Sequence, residues 1–415
     1  MPIVANDPVR ATGKNHPFLA VADIAYTGPM KWTLVVPGAL LPAVLAPDIL
    51  GVAQAPRLSE RLARAQAGTE FRATESAVGS PHWSWLARSF GIDAERPVTA
   101  PYAWRALSGG LPAAPGSWIA FCDPVHMAVA HDHVIVSDFE EAPLRAEELD
   151  GLLTLANEAL RGEVFDRTAP PGRASALRDL GLRIQALSGH WFLLADAPMD
   201  LQAPLLDAVL GQAVQERLPS GTDAGAWRAL ANEIQMLWHT SAINVARERF
   251  GAQPVNAVWV HGGGQWEPLS FSRITQLLLE EELIDSAVLR GWLQASGGNG
   301  AIASEPAGAR QSEGDTLSVC RTFSRPFAYQ DWRSWLERLP LFEERLEREL
   351  AAARGQGAAQ FEIVLCGVQT VRTLVLPRHA PWWRWRARGL RASPALLRRW
   401  FAEADSSPTL GAGRA

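Results

Sequence analysis

Apolar positions recur along this chain with two periods, and the alternation between them outlines a layered fold. Lys31 to Val36 is a short β-rich run closed by Pro37-Gly38, and Leu58, Leu62 and Ala65 then stand at helical spacing with arginines on the opposite side. Trp83 to Phe90 reads as a second helix, Trp104 to Gly116 as a connection rich in proline and glycine, and Trp118 to Cys122 as a buried strand ending in Asp123-Pro124. His133 to Val136 is a strand expected to pair with Trp118 to Cys122. Arg145 to Leu160 carries Leu149, Leu152, Leu153, Ala156 and Leu160 on one face, the signature of an amphipathic helix.

Further on, His190 to Ala195 reads as a strand, Leu205 to Leu218 as a helix stopped by Pro219-Ser-Gly, and Ala226 to Trp238 as a long helix. Ser241 is placed to cap a helix over Ala242 to Phe250, with Gly251 just past its end. Ile274 to Glu282 is expected to be helical, Leu317 to Phe323 a strand, and Gln330 to Arg354 one or two charged helices. Phe361 to Cys366 and Val371 to Leu376 form an antiparallel pair. Helices alternate with strands, which predicts an α/β architecture with a mixed sheet flanked by helices. The expected divisions are a poorly ordered arm (1–30), a first part of the core (31–122) and an inserted α+β segment (123–225). A further core segment of helices, strand and glycine turn (226–294), a flexible loop (295–316), a last part of the core (317–400) and a disordered tail (401–415) complete them.

The chemistry concentrates between Trp227 and Gly264, where helix, capped helix, apolar strand and glycine turn follow one another. His239, Asn244, Arg247, Asn256 and His261 fall where these elements meet, and element ends leave backbone groups free for a ligand. Asn244 and Arg247 are neighbours on one helical face, and an arginine fork suits a phosphate or carboxylate; the alternative is a solvent-facing pair near Glu248. Asn256 interrupts an apolar strand, so its amide must find either backbone or a ligand. His239 ends a helix, where an ordinary C-terminal histidine is the competing reading. Gly262, Gly263 and Gly264 permit close approach of an anion but match neither a Walker loop nor GxGxxG.

A second cluster, His126, His131 and His133 beside Asp123 and Asp132, holds the densest set of metal-ligand types, against the plainer reading of histidines in a hairpin. Pro381 to Arg388 is basic and aromatic; its alternatives are base or membrane contact and simple packing against the acidic helix around Trp335 to Glu349.

Composition narrows these readings. The 415 residues are 47% hydrophobic, enough for a large core, and a formal net charge of −5 supplies no field to attract nucleic acid. Cys122, Cys320 and Cys366 sit inside apolar runs without a CxxC pair, which fits a reducing cytoplasm. No export signal or membrane span is expected from the sequence.

The order Glu-Ile-Gln-Met, Asn244-x-x-Arg247, Gly251, Pro254-x-Asn256, an apolar strand with Trp259 and a glycine turn resembles a segment of the archaeal-type cofactor-independent phosphoglycerate mutases. It resembles more closely a set of bacterial phosphoglycerate mutase-related, RpfE-type regulatory proteins. With gaps, that closer likeness runs from about Trp118 to Gly264 and includes Asp123-Pro124-Val125-His126 and His131-Asp132-His133-Val134. The resemblance implies an alkaline-phosphatase-like core with a smaller inserted domain, and a serine that carries a phosphoryl group between two divalent metals. Yet the first core strand ends in Val35-Val36-Pro37-Gly38 where the family places an aspartate, and no serine occurs before Ser59. Only His379 follows the glycine turn where several histidines are expected. The expectation is a mutase-like protein without phosphoryl transfer that binds a small phosphorylated acid or a protein partner in a regulatory role. The alternative is an active metal-dependent mutase or phosphatase with rearranged ligands for Mn, Mg or Zn.

Overall fold

Five parallel strands organise the protein, and all but the one at the sheet edge are largely buried on both faces. The computed structural model describes residues 29–73, 79–112, 116–130, 133–139, 142–162, 175–214, 217–279, 284–298, 301–303, 314–377 and 394–403. Its strands are β1 (Lys31–Val36), β2 (Gln66–Arg72), β3 (Trp118–Ala130), β4 (His133–Ser137), β5 (Arg183–Leu187), β6 (His190–Ala195), β7 (Ala257–Gly264), β8 (Ile274–Leu278), β9 (Ala301–Ala303), β10 (Asp315–Val319), β11 (Gln360–Cys366) and β12 (Thr370–Pro377). The larger sheet has the order β2-β12-β11-β1-β10-β8-β9, parallel from β11 to β9 and antiparallel at β12 and β2. The smaller sheet runs β4-β3-β6-β5, with β7 paired to β3.

The period of two decides what each strand packs against. Trp32, Leu34 and Val36 of β1 and Phe361, Ile363 and Leu365 of β11 enter one core with the helices Pro56–Leu62, Leu339–Gly355 and Pro394–Phe401. Val35, Val364, Leu317 and Val319 point the other way, into a core shared with the helices Pro81–Ser89, Ala100–Ser108 and Ile284–Ala295. Ile119 and Phe121 of β3 and Phe192 and Leu194 of β6 join this second core, so one apolar layer ties the two sheets together. The opposite face of the smaller sheet packs on the helices Ala146–Arg161 and Ala224–His239. The expected α/β architecture, a mixed sheet flanked by helices, is therefore the one present.

Several elements differ from expectation. Ile274 to Leu278 is the interior strand β8 rather than a helix, because its apolar run is buried between β10 and β9 and is too short to settle its own period. Among the described residues of Leu205 to Leu218 the only helical piece is the short 3-10 turn Leu206–Ala208. The helix Ala100–Ser108 occupies part of the expected Trp104–Gly116 connection, with Pro101 in its first turn, where the missing N–H is harmless. Asp123-Pro124 makes no turn; β3 runs through it, so that β4 pairs with His126 to Ala130 while Trp118 to Phe121 pair with β6. β7 belongs to the smaller sheet, not the larger one. The arm before residue 29, most of 295–316, the Trp/Arg segment from Pro381, His379 and the tail beyond 403 lie outside the described residues.

Candidate functional site

Of the residues singled out between Trp227 and Gly264, Asn244, Arg247, Asn256 and His261 make polar contacts within the protein itself. Ser241 caps the Ala242–Arg249 helix by accepting from the Asn244 backbone N–H, and Gly251 takes the left-handed φ of +72°. The buried Asn244 side chain donates to the carbonyls of Trp238 and Val255, both at 2.8 Å, and accepts from the Val255 N–H at 2.8 Å. Arg247 is buried as well, donating to Gln253 O, Ala142 O and Glu148 Oε2. Asn256 takes the backbone alternative: it donates to Met127 O at 2.9 Å and accepts from Met127 N–H at 2.7 Å, extending the β3 edge. His261 Nε2 meets Asp123 Oδ2 at 2.7 Å, and His239 lies exposed in the last turn of its helix. Asn244, Arg247 and Asn256 thus fasten helix to strand and strand to sheet, and their side chains do not converge on one ligand.

The expected glycine turn is not a turn: Gly262, Gly263 and Gly264 end strand β7, with Gly264 paired to Ile119, and the space beside them is filled. A Cβ on Gly262 would stand 2.0 Å from Thr99 Oγ1, and one on Gly263 2.2 Å from the Trp118 ring. The glycines make room for side chains rather than for an anion. Gly263→Ala is expected to lower stability by about 1–3 kcal/mol through overpacking, read by urea denaturation, with anion affinity unchanged.

The expected histidine metal site is not formed by its described members. Along the β3–β4 ladder His126 faces Ser137 and His133 faces Ala130, four positions away, so the two lie roughly 13 Å apart at the ordinary strand rise. His126 Nδ1 contacts Pro254 O at 2.8 Å instead. His131 lies outside the described residues. Among the described residues no three His, Cys, Asp or Glu side chains form a metal-ligating group, so they do not fit the dimetal shell that the resemblance implies. All three cysteines are buried, and burial pushes each thiol up, away from the thiolate that a nucleophile or metal ligand needs.

A cavity of about 1130 Å³ opens at the carboxyl ends of β1, β10 and β11, the place where parallel sheets present free backbone and loops to a ligand. Pro37-Gly38, Arg321-Thr322 and Gly367-Val368 form the strand-end part of its lining, and none of His126, His133, His239, Asn244, Arg247, Asn256 or His261 belongs to it. Its described charged lining comprises Arg217, Arg321, Arg325 and Arg338 against Asp138 and Asp207. Arg325 grips both Asp138 oxygens, at 2.7 and 2.8 Å, and Arg321 pairs with the buried Asp285. Arg338 donates one Nη to Thr322 O at 3.2 Å.

On the cavity wall stands a constellation that the sequence reading did not assemble. Ser80 precedes the Pro81–Ser89 helix, yet its hydroxyl does not cap it; Oγ lies 2.9 Å from His82 Nδ1 and donates to Asp207 Oδ2 at 3.1 Å. His82 Nε2 is 3.1 Å from the same carboxylate oxygen. Burial works to raise the Asp207 carboxyl, but the charge and hydrogen bond of His82, the charge of Arg321 and the Ser80 hydroxyl outweigh it and hold Asp207 at about 2. A depressed carboxyl stabilises the fold in full above its unfolded pKa near 4, and the benefit is lost as pH falls through about 2. At about 1.4 kcal/mol per unit this is roughly 2 kcal/mol. Acid unfolding of Asp207→Asn is expected to lack this component; superimposable acid profiles of variant and wild type would refute it.

No family profile matches the chain, and no curated protein matches it. Among solved structures it is similar to the PH0037 protein from Pyrococcus horikoshii, with 10% sequence identity and a TM-score of 0.41 over 84% of this chain and 87% of that one. It is also similar to the cofactor-independent phosphoglycerate mutase from Thermoplasma acidophilum, with 12% identity and a TM-score of 0.35 over 85% of this chain and 91% of that one. Likenesses this distant carry no argument about activity.

None of Ser80, His82, Asp207 and Arg321 was singled out from the sequence, although two local signals were there to find. Ser80-Pro81 is a helix start with a proline at the first position, and His82 follows at once. Arg321 stands just beyond a buried apolar run, where a parallel strand ends. Asp207 gave none, because it lies in a segment read as helix.

Among the described residues no helix is long and apolar enough to cross a membrane.

Proposed function

We propose that this chain binds a small phosphorylated acid in the cavity at the carboxyl ends of β1, β10 and β11, as a regulatory or accessory protein rather than as a metal-dependent mutase. The observation that carries this reading is the arginine content of the cavity: among the described residues four guanidinium groups line it, and while Arg325 is paired to Asp138 and Arg321 to Asp285, the hydrogen bonds of Arg217 and Arg338 go to the uncharged carbonyls of Ala208 and Thr322. Guanidinium groups recognise phosphate and carboxylate oxygens through paired charge-assisted hydrogen bonds. The absence of a carboxylate where β1 gives way to Pro37-Gly38 supports the second half of the reading, since a phosphoryl-transfer metal needs oxygen ligands there.

Calorimetric titration with 3-phosphoglycerate, glycerate and inorganic phosphate tests it. Saturable binding of 3-phosphoglycerate is expected, weakened by added salt and by Arg338→Ala, the latter by roughly 10–100-fold for one charge-assisted contact. No binding at low salt, or binding indifferent to Arg338, would overturn the reading.

A second reading, a phosphatase or phosphotransferase, is favoured by one observation, the approach of Ser80 Oγ to His82 Nδ1 inside the cavity. In that reading the Ser80 hydroxyl turns its proton from Asp207 to His82 Nδ1, Ser80 Oγ attacks phosphorus, His82 takes that proton and returns it to the departing alkoxide, and water later cleaves the phosphoserine. Turnover of a phosphate ester that Ser80→Ala abolishes would establish it; absence of turnover with intact binding leaves the first reading standing.

A further inference from the structure

The cavity that this proposal assigns to an acid is lined by side chains of two unlike kinds. Ser80, His82, Asp207 and Arg321 are held by hydrogen bonds and ion pairs. Pro42 and Leu45, in the segment that follows β1, add apolar surface together with Phe327, Trp332 and Leu341. Leu45, Phe327 and Trp332 pack against the first core, with the Phe327 and Trp332 rings edge to face at 5.9 Å, and Leu341 projects from the Leu339–Gly355 helix with 58% of its surface exposed. Arg338 lies between Trp332 and Leu341 in the chain, so one stretch supplies both a cationic and an apolar contact to the same space. At about 1130 Å³ the cavity slightly exceeds the roughly 300–1,000 Å³ of pockets for drug-sized ligands and is far larger than a three-carbon acid requires.

We infer that the ligand is a small soluble phosphate monoester with an apolar, aromatic body, its anionic head on the arginine side and its body against Phe327, Trp332 and Leu341. This rests on the anion-binding reading and extends it to substrate class. The apolar lining points to what the arginines do not: large apolar side chains left partly exposed inside a concave, charged site gain from covering by a ligand body, and aromatic rings offer that body edge and face contacts.

The probes are inorganic phosphate, 3-phosphoglycerate, phenyl phosphate and 1-naphthyl phosphate, titrated calorimetrically into the full-length protein. Affinity is expected to rise with the apolar body, by tenfold or more from inorganic phosphate to 1-naphthyl phosphate. Trp332→Ala should remove most of that gain and leave inorganic phosphate affinity unchanged, while Arg338→Ala should weaken every probe. Leu341→Ser, at a position exposed enough to fold normally, should remove a smaller part of the same gain. If phosphate and 3-phosphoglycerate bind but the aryl esters bind no tighter, the inference is overturned and the anion-binding reading stands. If none of the four binds, both fall.

Discussion

Arg247→Ala is expected to destabilise the protein by about 3–5 kcal/mol, the cost of leaving one member of a buried ion pair without its partner. The surviving folded molecules should bind anions as the wild type does. Arg247 and Glu148 are almost wholly buried, 4% and 7% exposed in their side chains, with Nη1 3.2 Å from Oε2. The remaining guanidinium donors go to Gln253 O and Ala142 O, so the variant also orphans two carbonyls. Glu148 keeps the Arg145 backbone N–H at 2.8 Å, but the exposed Arg145 side chain cannot replace a buried charge. Burial works to raise the Glu148 carboxyl; the Arg145 hydrogen bonds and the Arg247 charge hold it lowered, a stabilisation present above its unfolded pKa and lost in acid. Arg247→Lys restores charge without the planar fork and should recover only part of the loss. Urea denaturation beside anion titration separates the two roles: undiminished stability with lost anion affinity would make Arg247 a ligand contact after all.

That distinction marks how far sequence reasoning reached. The Asn244-x-x-Arg247 spacing correctly placed both residues on one helix, and Ser241 and Gly251 bounded it by local cap chemistry that needs no tertiary knowledge. Local pattern could not decide what the polar groups face. Asn256 required a partner because an orphaned buried amide is costly, and both backbone and ligand met that requirement until Met127 was seen opposite it. The strand Trp118 to Cys122 was legible from its apolar run, but its continuation through Asp123-Pro124 was not, since that dipeptide ordinarily turns the chain. The cavity was least legible. Its parts come from β-strand ends and from loops around residues 80, 207 and 330, and only the parallel order of β11, β1 and β10 brings them together. Strand order is a property of the folded sheet, and no local period encodes it.

The same order explains the other large effect, expected at Glu349. This carboxylate is wholly buried beneath the sheet and accepts from Trp32 Nε1 of β1 at 2.8 Å, Ser318 Oγ of β10 at 2.6 Å and Arg345 Nε at 2.6 Å. It therefore joins the two central strands, whose ends floor the cavity, to the Leu339–Gly355 helix that supplies Leu341. Glu349→Ala takes the carboxylate away from the Arg345 guanidinium, which is 10% exposed in its side chain, and strips an acceptor from the Trp32 indole. The expected loss is about 3–5 kcal/mol. The double variant Glu349→Met, Arg345→Met removes both charges and keeps most of the volume, so it should recover much of the stability lost in the single variant. A double variant as unstable as Glu349→Ala would show instead that the hydrogen bonds to Trp32 and Ser318, not the compensation of Arg345, hold the helix to the sheet. Because the cavity is lined by both this helix and the strand ends, loosening Glu349 should also weaken anion binding, whereas Arg247→Ala, whose side chain is not part of the lining, should not.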